Sequence, residues 1–423
     1  MDHTGKVDQD AVLRARTMLL GSGRLSLGRQ IEAYQVLSVV SPVTYLPKLA
    51  DALLSYAYAP EVRDRPELRL ARHAEAVAVA RRIDAGEPNR TELLVRALSP
   101  YRRELYARGR RAEGFAVCEE MAEAERYGLA HGHVTSSLYG HRALATVLAE
   151  DGRHREAAEL CGELVQADRS DGPVTDSSWT VLAWVAELDA AGRHDEALEA
   201  FGNLVDVSRA EVDAHPLATL TWQFVHYAGM LDAVERRVAA RGARQSALAL
   251  LSELDRTGER RSWSNILPWW TTLYALSGRS AEPASLPDAP SPPFGFDFLN
   301  WSPDVKQAYV DGLPALEEQV SELRAAARTD PRGHLPELVA LQRRFTVRSA
   351  LHRVNREHRI LKPLRPLFDE GVALARRLAD ATDTKRSRAA LGRALTDRSM
   401  FLVAAMQYGE AYDGYLEAID FLD

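Results

Sequence analysis

Histidine is the residue type in this chain best suited to metal binding or proton transfer. His131 and His133 flank Gly132 and could offer two imidazoles to one metal ion. No cysteine or carboxylate stands at ligand spacing from them, and the zinc-protease pattern of two histidines one helical turn apart with a glutamate between them does not occur. The sequence therefore predicts solvated loop histidines and no metal site.

Four other histidines also lack a catalytic context. His154 and His194 occupy the same place in two successive Gly-Arg-His turns. A catalytic residue is needed once, whereas a structural residue recurs with its repeat, so this pair predicts a role in the turn. His352 and His358 belong to a basic helix and resemble no hydrolytic motif.

The remaining reactive residue types form no recognisable catalytic pattern. Glycine loops that bind dinucleotides or phosphates are absent, as is the Gly-x-Ser-x-Gly nucleophile elbow. Glu119, Glu120, Glu123 and Glu125 stand close together, but clustered like charges on a helix are typical of a solvated face. We therefore predict a protein that is not an enzyme, with no catalytic residues and no cofactor.

The two cysteines are explained by the helices around them. Two cysteines are too few for a disulfide framework or a thiolate metal site. Counting nine positions on from the glycines at 109, 152 and 192 leads to three apolar residues, Cys118, Cys161 and Phe201. The cysteines are thus predicted to be small core residues between packed helices.

These glycines mark a repeat of helical hairpins. Gly152 and Gly192 are separated by forty positions, and Gly109 precedes Gly152 by a similar interval of forty-three. Five positions after the three glycines come small residues, Gly114, Ala157 and Ala197. A small residue followed four positions later by an apolar one places both on one buried helix face.

The Gly-Arg-x-x-Glu-Ala turn, with its small and apolar positions, resembles the tetratricopeptide repeat, a helix-turn-helix of about 34 residues. It is also similar to the irregular helical repeats of actinobacterial regulatory proteins. The resemblance covers residues 93–209 and returns at 404–416. It implies an all-α, tetratricopeptide-like solenoid whose hairpins stack and present a concave face to a protein or peptide.

The predicted organisation has three parts. Residues 1–278 and 303–423 are predicted to be helical repeats, with one hairpin turning at 242–247. Segment 279–302 interrupts them, because its prolines exclude a regular helix. It is too apolar for a solvated linker and is predicted to be an ordered crossing segment; its large apolar residues are Phe294, Phe296, Phe298 and Trp301.

Composition indicates a soluble protein with a cytoplasmic location. The chain is 46% hydrophobic and 27% charged, with a formal charge of -7. It has no apolar run long enough to cross a bilayer, and its N-terminus shows no leader peptide. The final helix, 410–422, ends in apolar residues. We expect it to pack on a second copy of the chain or on a partner, or else to fold back on its own chain.

A basic stretch, residues 343–365, is the first candidate binding surface. It holds eight arginines or lysines against one acid. Arg348, Arg356 and Arg359 could lie near one another on a helix, with Arg353 beside them. Such a stripe could meet phosphates or an acidic protein surface, although no aromatic residues interleave with it for base stacking.

The tryptophans give the second candidate surface. All seven lie between residues 179 and 301, and Trp269 and Trp270 are adjacent on one helix. Because adjacent residues point in different directions, the two are not both expected to face inward. We expect one of them to meet residues 283–301, which are rich in proline and phenylalanine, or a ligand groove.

The function favoured by these features is a non-enzymatic scaffold or regulatory adaptor that binds a protein or peptide. One alternative is a nucleic-acid-associated regulator that uses residues 343–365. The other is an all-helical enzyme with a pocket near Trp269 and Trp270.

Overall fold

The structure is a computed structural model. It describes residues 8–21, 25–133, 138–171, 177–211, 216–261, 266–283, 289–353 and 361–422. Every regular element within these ranges is a helix, which confirms the all-α class. The chain forms two compact units. Unit 1 comprises Met1–Val147, Gln166–Gly172 and Ser302–Asp304, and unit 2 comprises Leu148–Val165, Pro173–Trp301 and Val305–Asp423.

Unit 1 is built from short and medium helices that start where the sequence favours a start. Proline occupies the first turn of α3, α4 and α5, where its missing N–H costs no hydrogen bond. Fully buried alanines such as Ala50, Ala76 and Ala80 let these helices approach closely. The helices are α1 (Gln9–Leu20), α2 (Leu27–Val40), α3 (Pro42–Tyr56), α4 (Pro60–Arg63), α5 (Pro66–Arg81), α6 (Arg90–Tyr106), α7 (Arg111–Ala130) and α8 (Tyr139–Glu150).

Unit 2 holds the longer helices. The hairpin partners α10 and α11, α12 and α13, and α19 and α20 pack against each other. Its helices are α9 (His154–Asp171), α10 (Ser177–Ala190), α11 (His194–Ala210), α12 (Leu217–Ala233), α13 (Arg237–Thr257), α14 (Ile266–Gly278), α15 (Pro303–Asp311), α16 (Leu313–Thr329), α17 (Pro331–Arg353), α18 (Leu361–Thr382), α19 (Lys385–Ala404) and α20 (Tyr408–Leu422).

Five hairpins turn with the same backbone geometry. In each, one residue adopts a positive φ, its N–H donates to the carbonyl three positions earlier, and the next N–H donates to the carbonyl five positions earlier. These are the bonds of a Schellman cap, which satisfies the last carbonyls of a helix. We call this residue the turn residue; the five are Gly109, Gly152, Gly192, Glu235 and Met406.

The fourth of these turns corrects a prediction. The sequence predicts a turn at residues 242–247, but Gly242 lies inside α13 and the chain turns at Glu235, with φ 59°. Counting nine positions on from Glu235 and Met406 gives Arg244 and Tyr415, 3% and 1% exposed. The buried position that the cysteines occupy therefore recurs in all five hairpins.

The first helix of each hairpin presents one face to the sites described below. We call it the inner face and define it by the positions thirteen, ten and six places before the turn residue, which share one side of a helix. The earliest of the three holds Arg96, Tyr139, Trp179, Trp222 and Arg393 in the five hairpins.

Chain order and spatial order diverge in unit 2. The last hairpin packs on the fourth: α20 contacts α13, and Trp222 of α12 donates its indole N–H to the carbonyl of Met400 in α19, 3.1 Å away. The C-terminal helix therefore folds back onto its own chain. Helix α14, from the intervening stretch, contacts α12, α17 and α19.

Residues 289–301 are an ordered segment. Ser291 N–H donates to the carbonyl of Glu150 at 2.8 Å, and the Trp301 indole donates to the Phe296 carbonyl at 3.1 Å. Gly295, with φ 103°, lies against Ala186 of α10. This segment belongs to unit 2, as do residues 173–288 before it and residues 305–423 after it. Within the described ranges, no helix has the length and apolar character needed to span a bilayer.

Candidate functional site

Trp269 and Trp270 are both buried, 0% and 2% exposed, so the expectation that only one of them would face inward is wrong. Both can be buried because α14 is covered from several sides. Trp269 meets the edge of Trp179 in α10, with ring centroids 5.0 Å apart. Trp270 lies 6.0 Å from Phe401 in α19 and lines a cavity.

The predicted contact arginines are only partly within the described residues. Arg356 and Arg359 lie outside them, and of Arg353 only the backbone is described. Arg348 points into unit 2, where its guanidinium contacts the carboxylate of Glu282 with Nη2 and Oε2 2.5 Å apart. Its side chain is 14% exposed. Its charge is therefore already compensated within the chain.

Other arginines of the basic stretch are engaged in the same way. Arg343 pairs with Asp397 at 2.7 Å, and Arg365 pairs with Glu410 at 2.7 Å. The described part of residues 343–365 therefore offers little free positive charge to a phosphate backbone, which weakens the case for nucleic-acid binding there.

Unit 2 contains a cavity of about 750 Å³ that is partly open to solvent. Its walls come from α10 to α14, α17, α19 and α20, and much of the lining is apolar. The volume lies within the range of small-molecule sites, about 300–1,000 Å³. Inner-face residues of α12 and α19 supply two of the walls, namely Trp222, Val225, Gly229, Arg393, Thr396 and Met400.

Arg343 braces the cavity wall. Its Nε donates to Asp397 Oδ2 of α19 at 2.7 Å, and its Nη1 and Nη2 donate to the carbonyl and hydroxyl of Ser277 in α14 at 3.1 and 2.8 Å. Its guanidinium also lies 5.7 Å from the Tyr274 ring centroid. Burial opposes the charge of Arg343, but the Asp397 carboxylate more than compensates and raises the pKa of Arg343.

Each carboxylate among the described lining residues has a cationic partner. The partners are Arg279 and His194 for Asp189, Arg244 for Asp232, and Arg343 for Asp397. The carboxylates of the cavity are thus neutralised by the chain itself.

Arg393 is an arginine of this lining without an ion pair to another described residue. No hydrogen bond or ion pair joins it to another described residue, although it stands near Arg343 and Asp397. Partial burial of its side chain lowers the pKa of Arg393, and the positive charge of Arg343 lowers it further. The Arg393 side chain keeps part of its surface exposed to solvent, and it offers the cavity a guanidinium that no other described residue engages.

His226 also lines the cavity, and burial lowers its pKa to about 4. The carboxylate of Asp189 acts in the opposite direction, while Arg279 adds to the lowering. At neutral pH the imidazole is therefore uncharged.

The free energy of unfolding of unit 2 is expected to fall as the pH drops from about 6.5 to about 4. In this window the unfolded chain protonates His226 near the ordinary pKa of 6.5 while the folded chain does not, so the unfolded state binds more protons. His226→Gln should remove up to about 3 kcal/mol of this dependence. Urea unfolding followed by tryptophan fluorescence measures it, because all seven tryptophans lie in unit 2.

His334→Gln, on α17 and outside the cavity lining, is the matched control and should keep the dependence of the wild type. If His226→Gln and the wild type lose stability equally between pH 6.5 and 4, His226 is not the group responsible.

Unit 1 contains a separate groove of about 330 Å³. The inner-face residues Arg96 and Ser99 of α6 and Tyr139 of α8 line it. Ser99 Oγ donates to Tyr139 Oη at 3.2 Å, and the guanidinium of Arg102 lies 5.9 Å from the tyrosine ring centroid. Tyr139 is nevertheless 39% exposed.

Tyr139 and Trp179 occupy the same repeat position, thirteen places before the turn glycine. In α10 this position is packed against Trp269, which another part of the chain supplies. In α8 the aromatic ring remains accessible. Sequence reasoning overlooked Tyr139, Arg393 and His226, although counting back from the turn glycines would have found the first.

His154 and His194, for which the sequence predicts a common role in the turn, have different partners. His154 Nδ1 lies 2.8 Å from Glu187 of the next hairpin, whereas His194 Nδ1 lies 2.6 Å from Asp189 of its own turn. His131 stacks on Tyr127 with centroids 4.0 Å apart. Among the described residues, no group of three histidine, cysteine or acidic side chains could hold a metal ion.

Comparison of the sequence with protein-family models gives no match, and no curated protein matches it significantly. Function has to be inferred from the groove of unit 1 and the cavity of unit 2.

Proposed function

We propose that this protein is a non-enzymatic regulatory adaptor, a tetratricopeptide-like solenoid that binds a protein or peptide partner through the groove of unit 1. The observation that carries the proposal is the exposed ring of Tyr139. It stands at the inner-face position that its counterpart in α10, Trp179, uses to hold an aromatic side chain.

The contact between Trp179 and Trp269 indicates what the position binds. The two rings meet edge to face, with an angle of 86° between them. Such pairs contribute about 0.5–1.5 kcal/mol beyond the burial of their area. A partner that presents an aromatic side chain would give Tyr139 the same contact, so we expect an aromatic anchor in the segment that binds.

The size and polarity of the groove agree with one anchored side chain. About 330 Å³ has room for one or two side chains, so the rest of the partner would extend over neighbouring surface. Glu92 is exposed at the rim, and Arg96 beside it is paired with Asp51. The rim thus favours a partner with a basic residue near its aromatic anchor.

Tyr139→Ala is expected to weaken partner binding by about thirtyfold, the effect of removing an aromatic anchor worth about 2 kcal/mol. To identify the partner, the photo-crosslinking residue p-benzoylphenylalanine would replace Tyr139 in the full-length protein in its native cells. A defined cross-linked protein is the expected product, and its affinity for wild type and variant is then measured with purified components.

Leu129 provides the matched control, since it is 38% exposed but lies on the second helix of its hairpin. The same cross-linker at Leu129 should capture no such protein, and Leu129→Ala should bind like the wild type. Equal capture from both positions, or capture of nucleic acid that nuclease removes, would refute an adaptor that works through Tyr139.

A further inference from the structure

We propose that the cavity of unit 2 is a binding site for an apolar small molecule that carries one negative charge, with Arg393 as its counter-ion. This site goes beyond the proposed adaptor function. It depends on different residues in a different unit, so either proposal can fail alone.

The charge of the ligand follows from which charged residues of the lining are already paired. The three carboxylates of the described lining are each paired within the chain, while Arg393 has no ion pair with another described residue. A guanidinium can bind a carboxylate or sulfonate through two parallel hydrogen bonds. One anionic group can therefore pair with Arg393 without displacing an ion pair of the chain.

The apolar character of the ligand follows from the rest of the lining. Trp222, Trp270, Leu273 and Met400 contribute apolar surface to the lining that an apolar ligand can cover. Burying apolar surface against such walls is favourable by roughly 25 cal/mol per Å².

Gly229 explains why room for a ligand remains between α12 and α19. At the same inner-face position, six places before the turn residue, α10 has Ala186 and α19 has Met400. A Cβ added to Gly229 would meet nothing within 4 Å. The missing side chain thus leaves open volume where the other helices fill it.

A small molecule fits better than a polypeptide. The chain itself already contacts the inner face of α10 through Gly295 and Trp269, and it contacts α19 through Trp270 and Arg343. A peptide lying along these helices would have to displace those contacts. A compact ligand can occupy the remaining space without doing so.

Arg393 also borders a second cavity of about 560 Å³, so the experiment must separate the two. Three glycines make this possible, because an added Cβ meets nothing within 4 Å at any of them. Gly229 lines the larger cavity, Gly371 lines the second one, and Gly242 lies outside both. Phenylalanine at position 229 should therefore fill the larger cavity, phenylalanine at position 371 should fill the second one, and phenylalanine at position 242 should fill neither.

The test uses two fluorescent probes with the same apolar rings. One is 8-anilinonaphthalene-1-sulfonate, an apolar monoanion, and the other is N-phenyl-1-naphthylamine, its neutral counterpart. The anion is expected to bind the full-length protein with one-to-one stoichiometry and about tenfold more tightly than the neutral probe, a difference typical of one charge-assisted hydrogen-bonded contact. Energy transfer from the tryptophans of unit 2 confirms that the probe is bound there.

Arg393→Gln is expected to lower the affinity for the anionic probe about tenfold and to leave the neutral probe unchanged. Gly229→Phe should abolish binding of both probes, while Gly371→Phe and Gly242→Phe should bind like the wild type. Circular dichroism of each variant verifies that it is folded. Equal affinity of the wild type for the two probes, or an unchanged anion affinity in Arg393→Gln, would overturn the proposal, as would full binding by Gly229→Phe.

Discussion

Gly295→Ala is expected to destabilise unit 2 by about 3–5 kcal/mol. Two costs add at this residue. Its φ of 103° is a conformation that residues with a side chain rarely adopt, and the new Cβ would overlap the Cβ of Ala186. Neither can be relieved easily, because residues 289–301 are held by buried aromatic side chains on both sides of the glycine.

Urea unfolding monitored by tryptophan fluorescence measures this loss. Gly242→Ala is the matched control: it lies in α13 with open space around it and should stabilise the protein by about 0.5–1 kcal/mol. Adding Ala186→Gly to Gly295→Ala removes the steric overlap but not the backbone cost, so we expect the double variant to recover part of the stability. A Gly295→Ala protein within about 1 kcal/mol of the wild type would show that the segment does not pack on α10 as described.

The repeat could be predicted where glycine marks it. Glycine adopts a positive φ at no steric cost, so the turns at Gly109, Gly152 and Gly192 were visible in the sequence. At Glu235 and Met406 residues with a side chain adopt the same backbone geometry. The fourth turn was therefore predicted at Gly242, a glycine of α13, instead of at Glu235. A better signal lies four positions before each turn residue, where every hairpin has leucine: Leu105, Leu148, Leu188, Leu231 and Leu402.

The cavity could not be predicted, because it depends on contacts between distant parts of the chain. The hydrogen bond from Trp222 to Met400 spans 178 residues. No local pattern indicates that the last hairpin packs on the fourth. Nor does one indicate that α14 packs against α12 and α19, the first helices of these two hairpins. The burial of both Trp269 and Trp270 has the same cause.

Charge counting failed at the basic stretch for a similar reason. The acids that compensate its arginines are remote in sequence: Glu282 is 66 residues from Arg348, and Asp397 is 54 residues from Arg343. A count within residues 343–365 therefore reports a charge that the fold neutralises. Conversely, Arg393 stands in α19, which holds five basic residues against one acid, and it has no ion pair with another described residue.

Removing one partner of the Arg343–Asp397 pair is expected to cost about 3–5 kcal/mol, because the other charge stays buried without compensation. Both side chains are little exposed, 14% and 13%. Arg343→Met and Asp397→Leu would be compared with the double variant by urea unfolding of unit 2. We expect the double variant to lose much less than the sum of the single variants, since it leaves no buried charge from this pair.

The exposed pair Arg376–Glu417 is the matched control, with side chains 51% and 43% exposed. Arg376→Met should cost less than about 1 kcal/mol. If Arg343→Met costs no more than this control, the brace between α14, α17 and α19 is not a major contribution to the stability of unit 2.

The same variants connect the brace to the proposed anion site. Arg393 stands near both members of the pair, so loss of Arg343 should let Asp397 attract Arg393. Arg343→Met is then expected to weaken binding of the anionic probe although Arg393 is intact. Adding Asp397→Leu frees Arg393 again and should restore the affinity. Recovery of binding in the double variant, with the neutral probe unaffected throughout, would show that Arg393 binds the ligand because Arg343 keeps Asp397 occupied.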